Sequence, residues 1–484
     1  MRRRLKLIEI ALFGAGLFGS LAYAAPGDLD TTFGGHAFTT AIGSSNDLCW
    51  AIARQADGKY VLAGRSFIGA DYDFAVVRYD TNMNLDASFG TNANGKVTTP
   101  IGGSNDYGRG VAIQADGMIV VVGETWNGAD WDFGLARYTT TGTLDTAFGT
   151  NGTGIMTTDI SSNDFVGGVA IQTDGKIVVV GDSRTTNKYD FALARYDTNG
   201  ALDTTFGPSA NGKVTTGVDA YNNYGLAIAL QTDGKIVVAG YGGNSGGGTY
   251  EDFALARYTT TGTLDTAFSG DGKLIQNISG TRDWGRAVAI QTDGKIVVAG
   301  SDYNNNEFII ARFTTAGALD TSFSGNGWDQ TGDIGNNSAY CYGVAIQDDQ
   351  KIVTVGASAG PDNLDFAMFR HTTNGVLDSS FGYGGKVMTP VGAGADYAYG
   401  VVVQPDGKIV AAGSANNGAN DDFALARYHS DGRLDFKDGK ANSDVHASTD
   451  QIRGLAIQAD GKIVGVGAGS DGSYNDFVVA RYTT

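Results

Sequence analysis

Short apolar segments recur along the chain in a fixed order, separated by clusters of Gly, Asn, Asp and Thr. One round of the pattern occupies 96–99, 111–114, 119–123 and 133–138. Each segment is brief and rich in Val, Ile, Thr, Phe and Tyr, which predicts β-strands bounded by turns. The run at 177–180, Ile-Val-Val-Val, is apolar at every position. Continuous rather than alternating apolarity means burial on both faces of the strand. Between the second and third segments stands Asp-Gly, as at Asp174-Gly175, which predicts a two-residue type I′ hairpin. Four strands per round, covered on both faces, make one blade of a stack.

The period is set by a Leu-Asp dipeptide at Leu29-Asp30, Leu85-Asp86, Leu144-Asp145, Leu202-Asp203, Leu264-Asp265, Leu319-Asp320, Leu377-Asp378 and Leu434-Asp435, spaced by 55 to 62 residues. Within each unit the order is G-x-L-D-x-x-F-G, a V-T-T-like stretch, V-A-I-Q-x-D-G-K-I-V-V-x-G, and D-F-A-L-A-R-Y. Eight units follow the leader, at 27–84, 85–143, 144–201, 202–263, 264–318, 319–376, 377–433 and 434–484, with no separate domain expected among them. Q-T-D-G-K-I-V-V recurs letter for letter at 172–179 and 291–298, and D-F-A-L-A-R-Y stands at 190–196. On these motifs the chain resembles the delta-60 repeat family of bacterial exported proteins, a β-propeller domain of unknown function, over 27–484. The resemblance implies a fold and supplies no reaction and no catalytic residues. Departures are local: Met118 for the turn lysine, Asp349-Gln350 for Asp-Gly, Trp328-Asp329 in a first strand, and no F-G after Leu434-Asp435.

The expected fold is an all-β, eight-bladed β-propeller with one four-stranded antiparallel blade per repeat. Closure hides the strand edges that an open solenoid, the competing arrangement, would expose. If 476–482 formed an innermost strand completed by residues near the mature N-terminus, one shared sheet would lock the ring.

Residues 1–24 combine a basic start, an apolar stretch and Ala22-Tyr23-Ala24, which predicts a secretory signal peptide and export to the periplasm, cell surface or medium. Arg2-Arg3-Arg4 gives a weaker twin-arginine look. No cysteine lies near the cleavage site to take a lipid anchor. No later run of ~18 apolar residues predicts a membrane span in the mature chain. The 73 glycines and 6 prolines follow no Gly-X-Y period, so neither collagen nor low-complexity disorder fits. The formal charge is −18; the leader contributes +3, leaving −21. Such a surface repels phosphate backbones and excludes nucleic acid as a partner.

Comparison among the eight copies separates scaffold from function. The arginine before the last aromatic (Arg78, Arg137, Arg195, Arg257, Arg312, Arg370, Arg427, Arg481) is present in every copy. It reads as a blade-packing ion pair with a buried, bidentate carboxylate from the Leu-Asp or Asp-Phe pairs. Strand parity puts the constant Q-x-D-G-K turns and L-D-x-x-F-G links on one face and the variable turns on the other. The variable turns carry Tyr72, Trp126, Trp131 and Tyr250. A second variable column, five residues before each recurring Gln, reads Trp50, Arg109, Gly167, Leu226, Arg286, Tyr342, Tyr399 and Arg453. Aromatics and arginines at neighbouring ring positions suit stacking and bidentate hydrogen bonding at a channel mouth. The candidate ligand-binding residues are therefore Trp50, Tyr72, Arg109, Trp126, Trp131, Tyr250, Arg286, Tyr342, Tyr399 and Arg453. Three residues before that column lie Asp47, Asp106, Asp164, Asn223, Asp283, Ala339, Asp396 and Asp450. A ring of carboxylates is a possible Ca²⁺ site, but repetition in nearly every copy points to turn capping, and no cofactor is expected.

Catalytic constellations are missing. Cys49 and Cys341 fall in units three blades apart, too far for a disulfide, and read as free and buried. His36, His371, His429 and His446 have no metal-ligand spacing. The G-x-S-x-G at 356–360 aligns with an ordinary strand end in its sibling copies, so the nucleophile-elbow reading fails. Glu124, Asp130 and Glu251 lie in variable loops. The expected function is that of a secreted, monomeric, non-catalytic module binding or scaffolding a surface glycan or protein through the variable face. The alternatives are an exported enzyme acting on polysaccharide or peptide, and a structural envelope or matrix protein.

Overall fold

Each Q-x-D-G-K segment reverses the chain at its glycine. The computed structural model describes residues 37–482 apart from 41, 44–46, 81–83, 244–250, 332–337, 361, 405, 417–420, 435–439, 444–448, 459 and 471–474. The predicted leader, His36, His446 and Tyr250 lie outside the described residues. In the turn at 172–176, Gln172 N–H donates to the Lys176 carbonyl at 2.8 Å and Gly175 N–H to the Gln172 carbonyl at 2.8 Å. Gly175 takes φ 84°, whereas Asp174 has no positive φ. The loop is thus three residues ending in a left-handed glycine, and the expected type I′ pair, which needs two positive φ values, does not form. Gln350 fills the glycine position at φ 65°, and its Oε1 accepts Thr292 N–H of the neighbouring blade at 2.9 Å.

Thirty-two strands form eight four-stranded antiparallel sheets. Blade 1 runs Asp47–Arg54, Tyr60–Ile68, Asp71–Tyr79, Lys96–Thr99. The eight first strands contact one another in a complete ring, Asp47–Arg54 touching both Asp106–Ile113 and Asp450–Ile457, so they line the axis. The short V-T-T strand is the outermost strand of a blade. Each blade therefore completes itself with the first strand of the next sequence repeat. Blade 8 takes Ala37–Thr40 as its outer strand, Phe38 pairing with Val479, and this closes the ring. Asn475–Tyr482 is third in that sheet rather than innermost. Burial explains the order: D-F-A-L-A-R-Y strands are covered on both sides, as in Trp131–Tyr138, whereas first strands alternate buried and half-exposed positions. Apolar side chains of neighbouring blades interlock between the sheets, Val120, Val122 and Leu135 with Val169, Ile177 and Val179.

The repeated arginine sits where two blades meet. Arg78 Nε donates to Asp86 Oδ2 at 2.9 Å, and its Nη1 to the Thr140 carbonyl of blade 2. Lys59 Nζ of the hairpin turn reaches the same Oδ2 at 3.0 Å, and the guanidinium lies over Phe89 at 4.4 Å. The Leu-Asp carboxylates are the partners, at Arg137–Asp145, Arg195–Asp203, Arg257–Asp265, Arg312–Asp320 and Arg370–Asp378. The expected bidentate fork is absent: Arg137 places Nε and Nη2 on the single Oδ2 of Asp145. The other oxygen is occupied in turn capping, Asp86 Oδ1 accepting Ser88 N–H at 2.9 Å and its hydroxyl at 2.6 Å.

Cys49 and Cys341 are free and buried. His371 is fully buried and meets Asp329 Oδ2 at 2.9 Å. In other blades the equivalent tyrosine bonds an outer-strand threonine, Tyr138 hydroxyl to Thr99 at 2.7 Å. The two departures from the repeat are therefore partners. Ser358 of the G-x-S-x-G is fully buried near the end of Ile352–Ala359. Among the described residues no helix is long and apolar enough to cross a membrane.

The glycine closing I-V-V-x-G is required by a β-bulge in the first strand. In blade 2 the register slips between Gly108 and Gly110, leaving Arg109 unpaired, and the same slip recurs in all eight blades. The bulged backbone crowds the second strand: a Cβ on Gly123 would lie 1.9 Å from the Tyr107 carbonyl oxygen. Gly123→Ala is expected to cost about 2–4 kcal/mol, as buried overpacking does at its upper end. Urea denaturation measures this, and a midpoint equal to wild type would show that the bulge tolerates a side chain.

Candidate channel-mouth binding site

Each first strand enters from the variable face with an acid, a channel-facing residue, a small residue and then the bulge residue. The acid is fully buried in blades 1, 2, 3, 5, 7 and 8. Asp106 Oδ2 accepts Ile101 N–H at 2.7 Å, and Asp283 Oδ2 accepts Ile278 and Ser279 N–H at 2.8 and 3.0 Å. These carboxylates cap the links between blades. The third position is small because neighbouring first strands converge there; a Cβ on Gly108 would stand 2.4 Å from the Gly64 carbonyl oxygen. Bulges re-aim the residue that they leave unpaired, and the column Trp50, Arg109, Gly167, Leu226, Arg286, Tyr342, Tyr399, Arg453 is that residue in every blade.

These residues meet around the axis. Arg109 lies over Trp50 at 4.5 Å, Arg453 over the same ring at 5.9 Å, and Arg286 over Tyr342 at 5.1 Å. Tyr342 and Tyr399 pack edge to face at 5.2 Å. From the variable hairpins, Tyr72 packs on Tyr107 at 5.7 Å, Trp131 on Tyr107 at 4.9 Å, and Trp126 on Trp131 at 5.5 Å. A second arc runs Phe165, Tyr189, Tyr224, Tyr241, Trp284, Tyr303, with centroids 4.7 to 6.1 Å apart. Such spacings are those of favourable ring pairs.

Two columns of this belt escaped sequence reasoning. The residue after the buried acid is Tyr107, Phe165, Tyr224, Trp284 or Tyr397 in five of the blades, a repeated D-aromatic signal that the copies display. The residue after I-V-V-x-G is Arg65, Glu124, Asp182 or Tyr241 in blades 1 to 4 and small thereafter. Among the loop acids, Glu124 is buried and takes Arg109 Nε and Nη2 on Oε1 at 2.7 and 2.5 Å. Asp130 accepts Asn127 Nδ2 at 2.6 Å, and Glu251 accepts Trp284 Nε1 at 2.6 Å. At one blade junction Asp132, Asp159 and Asp164 bring carboxylate oxygens within 4.8 Å of one another, with Lys213 Nζ on the Asp159 carbonyl. The mouth offers ring faces, cationic groups and hydrogen-bonding edges, which suits recognition.

Seven segments, at 55–89, 114–148, 172–206, 231–268, 291–323, 404–435 and 458–484, match the family described as "Domain of unknown function (DUF5122) beta-propeller". No curated protein matches the sequence. Among solved structures the chain is similar to Sqt1 from Chaetomium thermophilum, with 13% identity, 92% of this chain and 98% of that one covered, and TM-score 0.50. Sqt1 bound to the N-terminus of ribosomal protein L10 gives 13% identity, coverage of 92% and 100%, and TM-score 0.50. Virginiamycin B lyase from Staphylococcus aureus follows at 12% identity, coverage of 78% and 94%, and TM-score 0.45. At this identity the likeness concerns the propeller fold.

The two faces respond oppositely to pH. On the constant face, burial raises Asp320, but Ser322, Lys295 and Arg312 outweigh it and hold the group at about 2; Asp86, Asp203 and Asp378 are likewise held well below the usual carboxylate range. Folded values below the unfolded ~4 give stability that is present above pH ~4 and lost below it. On the variable face, burial and then the Glu124 and Asp164 charges push Asp182 up to about 8. Burial and Asp283 push Asp252 to about 7, and burial foremost raises Asp73 and Asp164 to about 6. Raised acids favour the fold when protonated, so their contribution is lost as pH rises from ~4 towards 8. Urea midpoints are therefore expected to peak near pH ~5 and to fall at both pH ~2.5 and pH ~8. A midpoint that climbs steadily to pH 8 would contradict these ionisations.

Proposed function

We propose that this chain is an exported propeller of the delta-60 repeat type that works as a non-catalytic binding module, holding a surface glycan against the aromatic belt at its channel mouth. The observation that supports this most directly is the continuity of the belt: Tyr72, Tyr107, Trp131 and Trp126 stack in one unbroken series across two blades on the face free of blade-joining duties. Sugar rings bind to aromatic faces by apolar contact while hydroxyls find polar edges. The loop beside Trp126 is braced for such a role, Asn127 Oδ1 accepting Ala129 and Asp130 N–H at 2.8 and 3.0 Å. Acids that an enzyme would use as a pair are here engaged singly, Glu124 by Arg109 and Glu251 by Trp284.

A panel of insoluble cell-wall, plant and microbial polysaccharides, used in pull-down with the purified protein and a Trp126→Ala/Trp131→Ala variant, tests the reading. Each lost ring contact is worth about 1 kcal/mol, so the variant is expected to bind roughly 10- to 30-fold more weakly. Binding that survives intact in the variant places the ligand elsewhere. Absence of glycan binding by the parent, with capture of a peptide instead, moves the face to protein recognition, the mode that Sqt1 shows with the L10 N-terminus.

A further inference from the structure

The charge at the channel mouth runs against the charge of the chain. In a protein of formal charge −18, three guanidiniums converge on one indole: Arg65, Arg109 and Arg453 lie 5.0, 4.5 and 5.9 Å from the Trp50 ring centre. One carboxylate answers them, Glu124 on Arg109. Arg453 donates from Nη2 to Gln451 Oε1 at 2.8 Å. Arg65 makes neither a hydrogen bond nor an ion pair with any described residue, and its buried Nε has no acceptor. Rings of Tyr107 and Tyr72 hold it by its faces at 4.2 and 4.4 Å. Its N–H edges are left for another acceptor.

The scaffold does not require this. Arginines of the blade joints each have carboxylate, carbonyl and ring partners, so the fold satisfies a guanidinium wherever it needs one. Position 65 is arginine in one copy of the repeat; its equivalents are Glu124, Asp182, Tyr241, Ser301, Ala357, Ser414 and Ala468. Holding like charges together in a half-buried site is unfavourable unless an anion joins them. Arg286, four blades away on the opposite side of the ring, shows the same state, stacked on Trp284 and Tyr342 at 5.1 Å each with its buried Nε unpaired.

We infer that the mouth at blades 8, 1 and 2 selects acidic saccharides, a carboxylate or sulfate ester of the sugar chain seating on the free edges of Arg65 and Arg453. This rests on the glycan reading and names its substrate class. The planar guanidinium matches both oxyanions, and stacking between rings keeps it desolvated, which strengthens charge-assisted hydrogen bonds.

Calorimetric titration of the full protein with oligogalacturonate, a sulfated oligosaccharide and a neutral cello-oligosaccharide tests it, with polyglutamate as a non-sugar anion. Wild type, Arg65→Gln, Arg453→Gln and Arg433→Gln are compared; Arg433 is exposed and pairs with Asp431 at 2.8 Å away from the mouth. One acidic sugar is expected to bind at least 10-fold more tightly than the neutral one, to weaken as NaCl rises from ~20 to ~300 mM, and to lose roughly 10- to 100-fold in Arg65→Gln. Arg433→Gln should change nothing, and the melting temperature of Arg65→Gln should stay at the wild-type value because its side chain has no partner to lose. The two anionic sugars report whether carboxylate or sulfate is preferred. Equal binding of neutral and acidic sugars, unaffected by Arg65→Gln but lost in the Trp126→Ala/Trp131→Ala variant, overturns the anionic site and leaves the glycan reading standing. Binding of polyglutamate and of none of the sugars overturns both.

Discussion

Blade is joined to blade by a buried arginine. At Arg78 four pieces of chain meet: the third strand, the Leu-Asp loop that supplies Asp86 and Phe89, the hairpin that supplies Lys59, and the Thr140 carbonyl of the next blade. Burying a guanidinium is costly unless several partners share it, so none of these pieces is free to vary alone. The constancy of Q-x-D-G-K and L-D-x-x-F on one face follows from that single requirement. Gln55 Nε2 adds a bond to the Gly117 carbonyl in the neighbouring hairpin at 3.3 Å, so even the turn tips belong to the joint. Where Met118 replaces the lysine, Arg137 compensates by placing two nitrogens on Asp145.

Because the constant face is committed to joining blades, variation is confined to the other, and the bulge decides where it matters. A regular first strand would pair every residue with its neighbour and point alternate side chains along the axis. The extra residue at Arg109 and its seven equivalents breaks that order close to the variable mouth, and the glycine opposite is its steric complement. A local packing rule thereby places eight unconstrained side chains in a ring. The hairpin aromatics then meet them from above, as Trp131 meets Tyr107.

Fold, blade number, the two faces and the arginine–aspartate pairing were legible because eight copies repeat them, and repetition makes a constraint visible. What was misread depends on geometry that letters do not carry. Asp-Gly suits more than one turn, and the glycine-only positive φ at Gly175 selects the three-residue loop. Strand order was ambiguous by one because a repeat unit may begin at any strand; only the two-sided burial of D-F-A-L-A-R-Y shows that this strand lies within the sheet. The belt was half seen. Trp50 and Arg109 stood out as variable against constant neighbours, whereas Tyr107, Tyr224 and Trp284 were hidden by being alike. Arg65 was hidden because strands, not spacing, bring it to Trp50.

Departures from the repeat fall into two kinds, and the difference carries information. His371 replaces a tyrosine and Asp329 a strand residue, yet the two meet at 2.9 Å across the blade boundary. Gln350 replaces a glycine, and its side chain bonds the adjacent hairpin. Each such change is answered by another that restores the joint, as expected when the scaffold is the thing preserved. Arg65 has no such answer within the chain: no sibling copy shares it, no acceptor meets it, and its nearest ionic neighbours include cations. A compensated exception maintains a fold, and its removal is felt as lost stability. An uncompensated one leaves the fold indifferent to its loss, so what keeps it in place must be sought in what the channel mouth meets from outside.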